Sequence, residues 1–235
     1  MDENAIRIAV VDSGVNPDHP HIDGSRIAPG IAIAGDGTIE EGPEAALDLL
    51  GHGTAVTAAI QEKAGDAICI PVRIFREGLK STGLALITAI DWAAENGAHI
   101  INLSLGSTNL GHSAAFGAAA ERANMAGSII VAPCAADGAP CLPGSLPGVV
   151  GVDVDWDCPR EGFRKGDSPQ GPFMASGYPR PIPGVPLQRN LYGTSFATAQ
   201  MSGFVARAIR EAGIAPGTPH AVDAVRRALF SNGSE

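Results

Sequence analysis

Short apolar runs alternate along the chain with longer stretches whose apolar residues recur at helical spacing. Ile6-Arg7-Ile8-Ala9-Val10-Val11 is β-branched with one charge, and it stops at Asp12-Ser13-Gly14, which reads as a buried strand closed by a turn. Four further runs have the same character: residues 67–75, 99–106, 128–132 and 148–154. Between them the period lengthens. A small-residue helix begins at Gly51-His52-Gly53-Thr54. Ser81 or Thr82 caps another through about Asn96, with Leu84, Ile87, Ile90 and Ala94 on one face and Gly97 at its end. Helices are also predicted over residues 113–125, from near Ser195 through Ala206, and from Thr218-Pro219 to about Phe230, with the last five residues frayed. Strand, helix, strand, helix, strand predicts an α/β protein: a mostly parallel sheet with helices on both faces.

Two stretches do not fit this rhythm. Residues 23–50 are rich in Gly and hold the acidic residues Asp36, Glu40, Glu41, Glu44 and Asp48, which read as a solvated loop with at most a short helix near Pro43–Leu49. Selection of basic substrate segments is the functional alternative for that cluster. Residues 157–191 carry seven prolines, too many for regular elements, and read as a long surface excursion.

With 45% hydrophobic residues in 235, the chain can bury one large core, so one domain over 1–235 is expected. Thirty Gly, eighteen Pro and 5% aromatic residues point to tight connections around small aliphatic side chains. A net charge of −9 with no Lys/Arg cluster opposes nucleic acid and anionic membranes as partners. No basic n-region with an apolar h-region follows Met1, and no apolar run is long enough to span a bilayer, so the expected compartment is cytoplasmic. Cys69, Cys134, Cys141 and Cys158 lack paired zinc spacing and read as reduced thiols there. No cofactor or metal is implied: there is no EF-hand-like run of oxygen ligands, and His19 and His21 read as loop histidines near Pro17 and Pro20.

Three segments carry candidate chemistry. In Gly193-Thr194-Ser195-Phe196-Ala197 a glycine turn delivers Ser195 to a helix N-terminus, where unpaired N–H groups and the helix dipole stabilise an anion; a plain N-cap is the competing reading. His52 stands between two glycines at the start of a helix, which fixes an acid/base group, whereas a lone histidine is usually structural. Asp12 ends a strand at the sheet edge where ligands collect, although from this stretch alone an Asx-turn that merely closes the strand is the favoured reading.

Together, Asp12 in VVDSGV, His52 in GHGT and Ser195 in GTSFA resemble the subtilisin-like serine peptidases, in that family's chain order of Asp, His, Ser. GLALITAIDWAAENGAHIINLSLG (83–106) resembles the family's helix and substrate-edge strand, LPGVVGVDVD (146–155) a core strand, and the likeness covers residues 6–212. The resemblance implies a three-layer α/β/α subtilisin-like fold and an endopeptidase acting on peptide or protein, with the oligomeric state left open. It makes Ser195 the nucleophile, His52 its general base and later acid, and Asp12 the carboxylate that orients His52. It puts Ser104, Leu105 and Gly106 along an extended substrate, Ala132, Pro133 and Cys134 on the opposite wall, and Cys141 and Leu142 at the pocket floor.

One segment departs from the family. Where an Asn usually donates to the oxyanion beside the Ser195 N–H, this chain has Cys134-Ala135-Ala136-Asp137-Gly138. Ungapped, Ala136 takes the donor's place; a one-residue shift brings Asp137, which donates only if protonated. In a subtilisin, loss of that donor costs about 2.7–4 kcal/mol of transition-state stabilisation. The expectation is a slow or narrow enzyme, and the alternative is a pseudoprotease that binds extended peptides. A second departure is Ala199-Gln200, where the family has Pro-His.

Overall fold

Residues alternate sides along the first strand: Ile8 and Val10 enter one apolar core, Ala9 and Val11 the other. A strand buried on both faces needs helices above and below it, and the chain supplies them. The computed structural model describes residues 5–136 and 138–234. Its strands and long helices, in chain order, are β1 (Arg7–Asp12), β2 (Ile31–Ile33), β3 (Ile39–Glu40), α1 (His52–Lys63), β4 (Ile68–Arg73), α2 (Gly83–Glu95) and β5 (Ile100–Leu103). There follow α3 (Ser113–Met125), β6 (Ile129–Pro133), β7 (Ala135–Ala136), β8 (Ala139–Pro140), β9 (Val150–Val154), β10 (Arg164–Lys165), β11 (Phe173–Ala175), α4 (Thr194–Glu211) and α5 (Val222–Asn232).

Among the described residues one sheet has the order β10-β11-β9-β6-β5-β1-β4-β2-β3, and every ladder from β11 to β2 is parallel. Only the outermost pairs, β10 with β11 and β2 with β3, are antiparallel. Residues of α1, α4 and α5 fill the core on one face; Leu86, Ile90, Phe116 and Ala119 of α2 and α3 fill it on the other. This is the three-layer α/β/α arrangement the sequence implies. From β1 the chain adds β4 on one side and β5 on the other, so the winding reverses at β1 and opens a crevice beyond the ends of β1 and β5.

The main elements fall close to their predicted places, and α3 spans its predicted residues. Thr82 caps α2 by accepting from Ala85 N–H at 3.1 Å. Corrections lie at the periphery. Residues 43–49 form turns rather than a helix, and Leu47 bridges Val15. The 23–50 loop holds β2 and β3, and the proline-rich excursion holds β10 and β11, because these short strands are stabilised by the neighbour they pair with. The last helix starts at Val222, not at Thr218: the Thr218 hydroxyl closes a turn onto Ala215 O at 2.6 Å, and His220 takes a left-handed φ of 53°. Residues at its far end are tied down, with Ser234 bridging Arg164.

Candidate active site

Asp12 is the last residue of β1 and is fully buried. His52 opens α1, and its Nδ1 lies 2.8 Å from Asp12 Oδ1 and 3.0 Å from Oδ2. The approach depends on Gly53: a Cβ there would run into the Gly14 carbonyl oxygen and crowd Asp12 Oδ1. A carboxylate only accepts, so the shared hydrogen belongs to Nδ1 and leaves Nε2 with its lone pair. Burial pulls the proton affinity of His52 down. The hydrogen bond and charge of Asp12, with the charge of Asp48, outweigh it and raise the pKa above the ordinary value.

Ser195 occupies the first turn of α4, after Gly193, which offers no side-chain cap. Its N–H has no acceptor among the described residues, as expected at a helix N-terminus. Phe196, the next residue of α4, sets its ring 5.4 Å, centroid to centroid, from the imidazole. The Ser195 hydroxyl donates to Ser104 O at 2.9 Å, and no hydrogen bond joins it to His52 among the described residues. The pair Asp12 and His52 is therefore assembled, while the hydroxyl rests on the end of β5.

The remaining predicted residues lie at the same end of the sheet. Ser104 follows β5 and is buried; Leu105 and Gly106 are half-buried, with main-chain groups that find no partner among the described residues. Cys141 and Leu142 pack under Gly106, where a Cβ would meet the Cys141 sulfur and the Leu142 carbonyl. Of the opposite wall, Ala132 and Pro133 are buried in β6 and Cys134 is half-exposed. All four cysteines are free, and burial, with a smaller push from Asp153, raises the Cys134 thiol to about 11. Ala136 pairs with Ala139 in the β7–β8 hairpin, which Cys134 N–H anchors to Val152 O at 2.9 Å. Asp137 lies outside the described residues.

Asp48 does more than its reading as a solvated loop residue suggests. Its Oδ1 accepts from Ser13 Oγ (2.8 Å) and from the N–H groups of Leu50 and Gly51 (2.9 Å each). Its Oδ2 accepts from Thr54 N–H (2.9 Å) and Thr54 Oγ1 (2.6 Å). The available signal was a carboxylate four residues before His52, ahead of a helix whose cap is glycine. Glu40, from the same acidic group, pairs with Arg76 at 2.6 Å. His19 and His21 stack edge to face, with centroids 5.3 Å apart, and among the described residues no group of three or more His, Cys, Asp or Glu is placed to hold a metal. Nor, among those residues, is any helix long and apolar enough to cross a membrane.

A buried carboxylate on an imidazole, and a serine at the N-terminus of the helix whose Phe196 packs on that imidazole, are groups suited to nucleophilic acyl transfer. Residues 3–138 match the model of the Subtilase family, a match that includes Asp12 and His52 and ends before Ser195. The chain belongs to the subtilase family. This subtilase is 29% identical over 208 residues to thermitase of Thermoactinomyces vulgaris, covering 84% of this chain and 72% of thermitase. It is 30% identical over 219 residues to the thermostable alkaline protease of Halalkalibacterium halodurans, covering 86% of this chain and 56% of that protein. Its fold superposes on the nisin leader peptidase NisP from Lactococcus lactis with a TM-score of 0.74 at 19% identity, over 99% of this chain and 84% of the other. As a subtilase it is a serine endopeptidase.

Proposed function

We propose that Asp12, His52 and Ser195 form the catalytic triad of a single peptidase domain that hydrolyses peptide bonds through an acyl-enzyme. The observation that carries this reading is the buried Asp12–His52 contact of 2.8 Å beside the helix that bears Ser195. An extended peptide lies along Ser104, Leu105 and Gly106, where the unpaired main-chain groups of Leu105 and Gly106 suit strand addition, with Ala132, Pro133 and Cys134 opposite. A substrate N–H that takes Ser104 O releases the Ser195 hydroxyl to donate to Nε2 instead. Oγ attacks the scissile carbonyl carbon as its proton passes to Nε2, and the imidazolium that forms is stabilised by Asp12.

The oxyanion meets the Ser195 N–H at the N-terminal end of α4, on the side where the sequence has Ala136 in place of the usual donor. Collapse of the tetrahedral intermediate breaks the C–N bond, and His52 gives its proton to the leaving amine. Water, deprotonated by His52, then cleaves the ester. Without an Asn donor the enzyme is slow or narrow in its substrates. A dedicated task fits that profile, and the name of the leader peptidase with the same fold suggests an extended segment of a precursor peptide. Four free thiols fit a reducing, cytoplasmic compartment.

A fluorophosphonate probe tests the nucleophile: wild-type protein should be labelled on Ser195 and the Ser195→Ala variant should not. A diverse peptide library, read by mass spectrometry, gives turnover and specificity together. Equal labelling of both proteins, or peptide binding unchanged by Ser195→Ala with no product after long incubation, would overturn the reading.

A further inference from the structure

α1 lacks a side-chain cap of its own, because its N-cap is Gly51 with a left-handed φ of 80°. Two residues from elsewhere replace it. Asp48 takes the Thr54 N–H, and Ser13 Oγ takes the Gly53 N–H at 2.8 Å. Ser13 Oγ in turn donates to Asp48 Oδ1 at 2.8 Å, while Ser13 N–H donates to Asp12 Oδ1 at 2.7 Å. A continuous path of short hydrogen bonds thus runs from the turn that presents Asp12, through Ser13 and Asp48, to the helical turn that presents His52. A second strand of the same knot is Asn16 N–H, which donates to Thr54 Oγ1 at 3.0 Å.

We propose that Asp48 is a positioning residue of the peptidase site, a fixed anion that ties the Asp12 turn to the first turn of α1 and so sets the Asp12–His52 contact. The proposal rests on the reading of Asp12, His52 and Ser195 as the triad. Geometry supports it first: five donors converge on one carboxylate, and the residues they belong to flank Asp12 on one side and His52 on the other. Charge supports it second. An anion at the N-terminus of α1 complements the helix dipole and, together with Asp12, favours the protonated imidazole that forms during attack. The other groups near His52 do not duplicate this: α4 presents the uncharged Phe196, and Arg180, His19 and His21 line a cavity of about 230 Å³ on the outer side of Asp48.

The distinguishing variant is Asp48→Asn. In either orientation its amide NH2 faces backbone N–H donors, those of Leu50 and Gly51 or that of Thr54, so the knot loosens and the charge is lost. Small displacements of catalytic groups are expensive, so kcat should fall about 10–100-fold with KM little changed. The acid limb of the kcat/KM profile should also move to lower pH, a change that loss of a mere helix cap would not produce. Ser13→Ala cuts the tie to the β1 turn while leaving both carboxylates, so kcat should fall with the acid limb unmoved. If Asp48→Asn does not fold, Ser13→Ala decides. Wild-type kcat in Ser13→Ala, or a fall in the kcat of Asp48→Asn with no movement of the acid limb, would overturn the proposal. Fluorophosphonate labelling of Ser195 in the wild type separates this outcome from failure of the triad reading, since unlabelled wild-type protein overturns both.

Discussion

At the scale of single residues, the environment of His52 sets the pH behaviour. Its pKa is raised, and the base form is needed for attack, so kcat/KM should rise with pH to a plateau, with the midpoint of the acid limb above about 6.5. Asp12→Asn removes the main opposing influence and leaves burial, which acts the other way; the limb should then fall below that value and kcat should drop about 10⁴-fold, as in comparable triads. A pH–rate series on both proteins checks this. Ala136 is the second informative position. If the missing donor limits turnover, Ala136→Asn should raise kcat about 10–100-fold with little change in KM, and unchanged kcat would locate the oxyanion donor elsewhere. Asp12 and His52 were legible because each stands at the edge of a predicted element, His52 between two glycines and Asp12 two residues before one. Asp48 was not, because its main-chain partners converge only once α1 exists.

Among elements, the close approach of the β1 turn to α1 is the contact on which the site depends. Gly53→Ala puts a methyl group against Gly14 O and Asp12 Oδ1, so the turn or the helix must move. Overpacking of this kind costs about 1–3 kcal/mol, and the expected result is a lower melting temperature together with a larger loss in the rate of fluorophosphonate labelling. Labelling that survives at the wild-type rate would mean the site tolerates the shift. The elements read correctly from the sequence are the long periodic helices and the apolar strands of the sheet interior, whose burial on both faces leaves a pattern. The strands β2, β3, β7, β8, β10 and β11 have two or three residues each, too few for a period to register. Two of them, β2 and β11, are also held by strands farther away along the chain, β4 and β9.

Across the whole molecule, α5 closes the sheet's far side through one buried cation. Arg226 donates to Pro169 O and Val149 O at 2.7 Å each and to Gly171 O at 2.5 Å, tying the helix to the proline-rich excursion and to the start of β9. Arg226→Met should destabilise the protein by about 1.5–3 kcal/mol and lower the melting temperature by several degrees in calorimetry, because three carbonyls lose a charged donor. An unchanged melting temperature would show that water replaces it. The sequence by itself determined the alternation of strands and helices, the layers that alternation demands, and the glycine-framed positions of Asp12, His52 and Ser195, since period and local backbone freedom are properties of neighbouring residues. Tertiary structure alone decided that the winding reverses at β1, that Asp48 caps a helix it does not belong to, and that the Ser195 hydroxyl rests on Ser104 O. Each of these joins groups 6 to 91 residues apart along the chain or depends on strand order, and no local pattern encodes which distant partner a buried polar group will meet.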